Sequence, residues 1–356
     1  MRILILTGEF GKGHVSVAKA IKENLSENYD EKDIVICDLI HNIFPHISCI
    51  IYMIFNWVAK KQHNLYNLFT ELSDKPVNFF FKRFLMRKLS LLFKEHKPDL
   101  IISTVPIGAQ YVSDYKSQYL DNIPLITYIT DVSAQNEWIS DNTNLYVVGS
   151  KLTKKELILK GISEDKIMVN GIPVQKKFKS VRREKKDTRK KVLIMGGGLG
   201  LIDSFDELIR GIDRHTHVKI TVVTGNNKHL YNKITKKYPE IEVYKFSNEI
   251  DRLMSENDLL ITKAGGITLF ESIYSEIPMF ITRPFFNQEI SNARFVEEKQ
   301  IGTVIWDDIS DVQNEIGNLI NDSHRFETIR ENIRFLKTNL DQYDFDDILC
   351  KVGLKK

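Results

Sequence analysis

The sequence predicts an α/β protein made of two Rossmann-like, doubly wound parallel-sheet domains. The first observation is that short, continuous apolar runs alternate with helix-length amphipathic segments in both halves of the chain. Such runs are typical of parallel strands that are covered by helices on both faces. The second is the length of 356 residues, which suits two domains of about 100–200 residues each. The third is a cluster of basic residues near the midpoint, where a linker is expected.

The charge pattern places the domain boundaries. The net charge is only +3, yet residues 176–191 contain ten Lys and Arg against two acidic residues. With 42% hydrophobic and 27% charged residues, the composition is that of a globular protein and excludes disorder, collagen and coiled coil. We expect domains at 1–172 and 192–335, a basic linker at 173–191, and a C-terminal tail at 336–356 that packs back on the N-terminal domain.

The predicted strands follow in order along each half. In the first half they are residues 2–6, 34–37, 100–103, 125–129 and 145–148. In the second half they are residues 191–195, 219–223, 242–244, 259–261 and 279–281. Open sheets of this kind bind ligands beyond the carboxyl ends of their strands, so the turns that follow the strands are the candidate site segments.

Cysteine usage and hydropathy predict a location. Cys37, Cys49 and Cys350 have no paired spacing, which argues against a disulfide framework or a zinc site and suits a reducing compartment. The longest apolar stretch, residues 49–59, is shorter than the roughly 20 residues that cross a bilayer. The first strand begins at once, so we expect no signal peptide and a cytoplasmic protein, held peripherally at the inner face of the cell membrane.

An insertion at 39–97 interrupts the alternation of strands and helices. It contains two aromatic segments, and in the second of them bulky apolar residues recur near helical spacing between basic residues. A basic helix with such residues can lie in a membrane interface. The alternative is that the apolar stripe packs on the sheet like that of any other helix. The candidate membrane- or acceptor-contacting residues here are Trp57, Phe80, Arg83, Phe84 and Arg87.

The turn after the first strand carries three glycines and a histidine: Gly8, Gly11, Gly13 and His14. Glycines at a strand-to-helix turn let backbone amides approach a ligand. One interpretation is a dinucleotide site, with Asp38 as its acidic residue. The spacing G-x-x-G-x-G-H differs from G-x-G-x-x-G, however, and it places an imidazole where a pyrophosphate would lie. His14 is therefore a candidate catalytic residue, with a structural role as the alternative.

The second half repeats the strand–glycine–helix arrangement twice. Gly197 and Gly198 follow one strand, where backbone amides suit a phosphate or diphosphate. Gly265 and Gly266 follow another, and a helix then begins.

That helix places Thr268 near its N-terminus and Glu271 one turn inside, where a carboxylate suits a ribose diol because it accepts both hydroxyl protons. After the next strand, Gln288 and Glu289 offer donors and acceptors for the hydroxyls of a sugar. The alternatives are a helix cap for Thr268 and a solvated helix face for Glu289.

These motifs together resemble the GT-B glycosyltransferases of family 28, which include the monogalactosyldiacylglycerol synthases and the bacterial processive diacylglycerol glucosyltransferases. The resemblance covers essentially the whole chain and implies two Rossmann-like domains that face a central cleft. The segments that carry it are Gly11 to His14, 96–99, Thr130-Asp131 with Trp138, 171–173, Lys263 to Glu271, and Gln288-Glu289.

The resemblance implies that the C-terminal half holds a UDP-sugar. Gly197, Gly198, Gly265, Gly266 and Thr268 would line the diphosphate, Glu271 would hold the ribose, Phe246 would lie beside uracil, and Gln288 and Glu289 would hold the hexose. His14 and Asp131 would face the acceptor hydroxyl, with Gly13 and Trp138 on the acceptor side.

The resemblance also implies inversion at the anomeric carbon by one displacement, with a general base and without a metal or cofactor. The D-x-D string at 344–346 is interpreted as surface. The family's histidine between Asp131 and Trp138 is absent here, which leaves the acceptor open.

The expected function is transfer of a hexose, with glucose preferred, from a UDP-hexose to diacylglycerol or glycosyl-diacylglycerol at an anionic membrane surface. The aromatic and basic insertion favours a lipid acceptor. One alternative keeps the fold and donor but uses a polyprenyl-linked or other sugar acceptor, and another is a non-catalytic UDP-sugar sensor. The basic run at 176–191 is either a solvated linker or an attachment to an anionic leaflet, since each basic residue near such a surface contributes about 1 kcal/mol. No nucleic-acid partner is expected.

Overall fold

The computed structural model describes residues 1–10, 12–61, 79–180, 190–202, 205–213, 218–306 and 310–355. The chain forms two compact units. The N-terminal unit contains residues 1–176 together with 341–356, and the C-terminal unit contains residues 177–340.

The N-terminal unit is built on a parallel sheet whose described strands run in the order β2-β1-β3-β4-β5-β6. The strands are β1 (Ile3–Thr7), β2 (Ile34–Asp38), β3 (Leu100–Ser103), β4 (Leu125–Tyr128), β5 (Leu145–Val148) and β6 (Ile167–Val169). Every residue of β1, β3, β4 and β5 is buried, as expected for strands covered on both faces.

Helices connect these strands. They are α1 (Gly13–Leu25), α2 (Leu39–Ile43), α3 (Ser48–Lys61), α4 (Phe79–His96), α5 (Pro106–Tyr119), α6 (Lys151–Leu159) and, at the boundary of the units, α7 (Lys176–Lys179). Short 3₁₀ turns lie at Glu31–Asp33, Asn136–Trp138 and Glu164–Lys166. The local sequence explains several helix starts, since Asp38 and Ser150 accept hydrogen bonds from the backbone as N-caps and Pro106 occupies the first turn.

The C-terminal unit repeats the architecture, with strand order β12-β11-β10-β7-β8-β9 and parallel pairing throughout. Its strands are β7 (Lys190–Met195), β8 (Val218–Val223), β9 (Glu242–Tyr244), β10 (Leu259–Thr262), β11 (Met279–Ile281) and β12 (Gly302–Val304). Its helices are α8 (Phe205–Asp213), α9 (Lys228–Lys237), α10 (Ile250–Glu256), α11 (Gly266–Tyr274), α12 (Asn287–Glu298), α13 (Ser310–Asn321) and α14 (Ser323–Lys337).

The end of the chain belongs to the N-terminal unit and carries helix α15 (Phe345–Lys351). The side-chain amide of Asn170 donates to the Tyr343 carbonyl at 2.9 Å, and the Tyr343 amide donates back to the Asn170 Oδ1 at 3.0 Å. The D-x-D string has a structural role here, because Asp344 forms a capping box with Asp347 at the start of α15.

The prediction of two doubly wound parallel-sheet domains is confirmed. The sequence pattern missed β6 and β12, which are three residues long and lie at the edges of their sheets. The membrane interpretation of the apolar stripe on α4 is corrected for Leu85, Leu89 and Leu92, which are buried in the core of the N-terminal unit. No described helix is both long enough and apolar enough to cross a membrane.

Candidate active site

His14 lies at the beginning of α1, directly beyond β1, where it meets the ends of two further strands. Its Nδ1 is 3.1 Å from the hydroxyl oxygen of Thr130, and the Thr104 hydroxyl lies 3.2 Å from the His14 carbonyl oxygen. Thr104 follows β3, and Thr130 follows β4 by two residues. The carboxyl ends of β1, β3 and β4 thus converge on one residue, with β4 contacting its ring and β3 its backbone.

Burial lowers the pKa of His14 to about 4, although a hydrogen bond with Thr104 opposes the shift. The imidazole is therefore neutral at pH 7. In the tautomer that carries its proton on Nδ1, the ring donates to the Thr130 hydroxyl, and the Nε2 lone pair can take a proton. This is the protonation state that a general base needs.

The other predicted acceptor-side residues lie close to His14 in the fold. Trp138 is almost fully buried, and its ring centroid is 6.2 Å from that of His14. Asp131 is half-buried and follows Thr130 directly, and Gly13 is the first residue of α1. Sequence reasoning named Thr130 only as part of the Thr130-Asp131 motif and missed Thr104, although its position directly after a buried strand was a usable signal.

The first glycine of the turn serves packing. A Cβ atom on Gly8 would lie 3.0 Å from the Phe10 ring and 3.3 Å from the Tyr52 hydroxyl. That hydroxyl donates to the carboxylate of Asp38, at 2.7 and 2.8 Å from its two oxygens, and Asp38 also caps α2. Asp38 is therefore engaged within the unit, and the dinucleotide interpretation loses the carboxylate that it requires.

The glycine loop after β7 turns its carbonyls inward. The Gly196 carbonyl accepts from the Leu201 amide, and the Gly198 carbonyl accepts from the Asn226 amide, each at 3.0 Å. Gly197 has a φ of +67°, which favours glycine. Neither the Gly197 nor the Gly198 amide donates to another described residue. Two successive backbone amides of this kind can donate hydrogen bonds to the oxygens of a phosphate group.

Two more loops join this one at the same edge of the sheet, because β7, β10 and β11 are neighbours. Gly265 is the N-cap of α11 and Gly266 its first residue, and Thr268 lies in the first turn. The helix N-terminus adds positive partial charge beside the glycine loop. Among the described residues, no group of three or more His, Cys, Asp or Glu side chains is arranged to hold a metal ion.

Glu271 lies in the second turn of α11 and is half-buried. Burial raises its pKa to about 8, an effect that Lys177 opposes and Asp251 reinforces. Without a ligand this carboxyl group is mostly protonated at pH 7. A ligand that needs the carboxylate must therefore displace a proton, which makes its binding depend on pH.

Glu289 is buried, with 4% of its side chain exposed, so the solvated-face alternative does not hold. Its Oε1 lies 2.6 Å from the Lys263 Nζ, and its Oε2 accepts from the Phe285 amide at 3.3 Å. The methylene next to that Nζ is also near the glycine loop, since a Cβ atom on Gly197 would lie 3.5 Å from it. Lys263 thus links Glu289 to the glycine loop. Gln288 is half-buried beside Glu289.

We expect Lys263→Met to lower the free energy of unfolding of the C-terminal unit by about 2 kcal/mol, because it leaves the buried Glu289 carboxylate without its partner. We expect a smaller loss of unfolding free energy than for a fully buried ion pair, because 29% of the Lys263 side chain is exposed. Adding Glu289→Gln should recover most of the loss. Urea denaturation measures both, and additive losses in the double variant would show that the pair contributes nothing.

Phe246 lies two residues beyond β9, at the opposite end of the sheet from β12, and is 51% exposed. An exposed aromatic ring beyond a strand end can stack on a planar base. It lies in the same unit as the glycine loop.

The insertion presents an exposed apolar face on α3. It is formed by residues that are 47–61% exposed and recur at helical spacing, the first of them just before the helix: Ile47, Ile50, Met53, Ile54 and Trp57. On α4, Phe84 is 40% exposed and Arg83 and Arg87 are exposed. Phe80 lies in α4, but its side chain falls outside the described residues.

Most of the basic run, residues 181–189, also lies outside the described residues. Of its first residues, Lys176 contacts Glu27 at 2.6 Å in the N-terminal unit. Lys177 contacts Asp251 at 3.3 Å in the C-terminal unit.

Comparison with known proteins identifies the family of the chain and structures that share its fold. Residues 14–174 match the family model of monogalactosyldiacylglycerol (MGDG) synthase, and residues 188–342 match that of the glycosyltransferase family 28 C-terminal domain. A processive diacylglycerol beta-glucosyltransferase of Staphylococcus aureus (strain bovine RF122 / ET3-1) is 31% identical over 317 residues, which cover 85% of this chain and 81% of the relative.

A second relative with the same description, from Bacillus cereus (strain AH187), is 29% identical over 346 residues, covering 93% of this chain and 88% of the relative. Among solved structures, MurG of Acinetobacter baumannii shares the fold with a TM-score of 0.63 at 13% identity, over 99% of each chain.

Proposed function

The chain belongs to the glycosyltransferase family 28 group that contains the processive diacylglycerol beta-glucosyltransferases, and from this premise we propose that it transfers a hexose from a UDP-sugar to diacylglycerol. The observation that carries the proposal is the half-buried His14, whose pKa is lowered, at the strand ends of one unit, in a chain whose other unit has a glycine loop with two amides that donate to no other described residue. Glucose is the preferred hexose, as in the names of the relatives.

The donor would bind to the C-terminal unit. The amides of Gly197 and Gly198 and the N-terminus of α11 with Thr268 would receive the diphosphate, and Glu271 would accept the ribose hydroxyl protons. Phe246 would stack on uracil. Because Glu289 is held by Lys263, Gln288 would be the more accessible of the two for the hexose hydroxyls.

The chemistry would be a single displacement. His14 would take the proton of the acceptor hydroxyl as that oxygen attacks the anomeric carbon, and Asp131 would support the imidazolium that forms. UDP would leave as its diphosphate charge is stabilised by backbone amides and the helix dipole. We propose that this needs neither a metal nor a cofactor and that it inverts the anomeric centre.

The acceptor would come from a lipid surface that the exposed face of α3 contacts. Interfacial helices bind through buried apolar area together with basic residues that attract anionic lipid, and Arg83 and Arg87 provide such charges on α4. The enzyme would then be a cytoplasmic protein, peripheral at the inner face of the membrane.

Release of UDP tests this function. The protein is mixed with UDP-glucose and phosphatidylglycerol vesicles with or without diacylglycerol, and free UDP is measured. We expect release that depends on diacylglycerol. Release only with a polyprenyl-linked sugar would indicate the other acceptor class, and donor binding without release on either acceptor would indicate a sensor.

We expect the double substitution Ile54→Ser and Trp57→Ser to weaken binding to anionic vesicles at least about tenfold, because each side chain loses apolar area worth about 1 kcal/mol on insertion. Co-sedimentation with vesicles measures the change. Phe335→Ser is the matched control, since Phe335 is 74% exposed but lies on α14 of the other unit. Equal loss in the control, or none in the double variant, would contradict membrane contact by α3.

A further inference from the structure

Helix α3 has two faces with different partners. Its outer face is the exposed apolar row Ile47 to Trp57 described above. Its inner face carries Ser48, Tyr52 and Phe55, spaced by four and three residues, which places them one above another on the helix. Ser48 and Tyr52 are buried.

The inner face is tied to the end of β2 by hydrogen bonds. The Tyr52 hydroxyl lies 2.7 and 2.8 Å from the two carboxylate oxygens of Asp38, the last residue of β2. One turn earlier, the Ser48 hydroxyl lies 3.1 Å from the His41 Nδ1 on α2. These contacts hold the position of α3 against the sheet edge.

The same face is tied to the turn that precedes His14. The Phe10 ring packs edge-on against Tyr52 and Phe55, with centroid distances of 5.2 and 4.9 Å. Gly8 leaves room for this packing, because a Cβ atom there would meet both the Phe10 ring and the Tyr52 hydroxyl. Phe10 is thus the contact between the turn and the helix.

In the turn that precedes His14, one residue has a backbone conformation that it intrinsically disfavours. Lys12, the N-cap of α1, has a φ of +71°, a left-handed conformation that costs a lysine about 1 kcal/mol or more. Such a conformation persists where surrounding contacts hold it. Among the described residues, those contacts include the Phe10 packing and an exposed ion pair between Lys12 and Glu9 at 2.9 Å.

We propose that Tyr52 and Phe55, acting through Phe10, position the turn that carries His14, so that α3 couples lipid contact on its outer face to placement of the catalytic imidazole. Tyr52 and Phe10 are then positioning residues rather than catalytic ones. The inference rests on the proposed lipid acceptor. It also explains why a glycine is needed at position 8, where a Cβ atom would meet the Phe10 ring and the Tyr52 hydroxyl.

The coupling is tested in the full chain with UDP-glucose and phosphatidylglycerol vesicles that contain diacylglycerol. We expect Tyr52→Phe and Phe10→Ala to lower kcat about tenfold or more, because displacement of a catalytic group by about 1 Å can cost a hundredfold. The KM for UDP-glucose and the binding to vesicles should stay within twofold of the wild type. Phe10→Tyr, which keeps the ring, should retain kcat.

Trp57→Ser is the control on the outer face of the same helix. It should weaken vesicle binding and so raise the lipid concentration that gives the half-maximal rate, while Tyr52 and Phe55 keep their contacts with Phe10. Wild-type kcat in Tyr52→Phe would overturn the proposal. So would loss of vesicle binding in Tyr52→Phe in proportion to the loss of kcat, because α3 would then act only as an anchor.

Hydrogen exchange gives a readout that needs no turnover. In the wild type, acceptor-free phosphatidylglycerol vesicles should slow amide exchange severalfold in the peptide that contains Phe10 and Gly13. Tyr52→Phe should abolish this slowing while α3 itself still becomes protected on vesicles. Equal slowing in wild type and variant would overturn the coupling, whereas absence of lipid-dependent transfer by the wild type would count against the proposed function alone.

Discussion

His14→Ala is expected to lower kcat by about a thousandfold or more while the affinity for UDP stays within twofold. General bases contribute about 10²–10⁴-fold, and His14 lies in the unit that lacks the glycine loop for the diphosphate. Steady-state kinetics and calorimetry with UDP measure the two quantities. His229→Ala, which removes an exposed histidine of α9, is the control and should change neither.

The pH dependence of turnover also tests whether His14 is the general base. Because burial lowers the pKa of His14 to about 4, kcat at saturating UDP-sugar should hold as the pH falls from 7 through 6 and should decline only as the pH approaches 4. The lowered pKa also means that the contribution of His14 to stability is complete above pH 6.5 and is lost as the pH falls towards 4. Near-normal turnover in His14→Ala would contradict the assignment of His14 as the base and would indicate Asp131 instead.

Glu271→Ala is expected to raise the KM for the UDP-sugar about a hundredfold with kcat changed less than fivefold. A carboxylate that accepts two ribose hydroxyls contributes two hydrogen bonds to a charged group, at about 1.5 kcal/mol each or more. Initial rates over a range of donor concentrations measure the change. Glu298→Ala, on the exposed face of α12, is the control.

The raised pKa of Glu271 also predicts how the affinity for the UDP-sugar depends on pH. Since burial raises its pKa to about 8, donor affinity should increase as the pH rises from 7 to 9 and the carboxylate forms. Glu271→Gln should show no such increase. The raised pKa stabilises the fold below pH 4.5, and this contribution is lost as the pH rises through 8. If the KM for the UDP-sugar were unchanged in Glu271→Ala, the proposal that Glu271 binds the ribose would be wrong.

The sequence allowed the two-sheet fold to be predicted because eight of the strands are β-branched runs long enough to recognise, together with two shorter ones, whereas β6 and β12 were missed. It also placed His14 and Glu271 at helix starts beyond strands, because glycines mark such turns. Side-chain environment was not predictable in the same way. The burial of Glu289 depends on Lys263, 26 residues away, and the roles of Thr104 and Thr130 depend on strand order.

In the insertion, too, the sequence pattern was predictive but the side-chain environment was not. Periodicity located the apolar stripes of α3 and α4 but could not say which side of each helix the sheet covers. In the structure Leu89 packs in the core while Ile54 and Trp57 are exposed. The need for Gly8 likewise depends on Phe10 and Tyr52, which lie on elements far apart in sequence.

The most direct test of the central claim is mass spectrometry of lipids after the protein is incubated with diacylglycerol vesicles and UDP-glucose or UDP-galactose. We predict a hexosyl-diacylglycerol from UDP-glucose, with a β-linked sugar because displacement inverts the α-linked donor. Further hexoses on the same lipid would indicate processive transfer. A protein that binds UDP-sugar but yields no glycosylated lipid from either donor would contradict the claim.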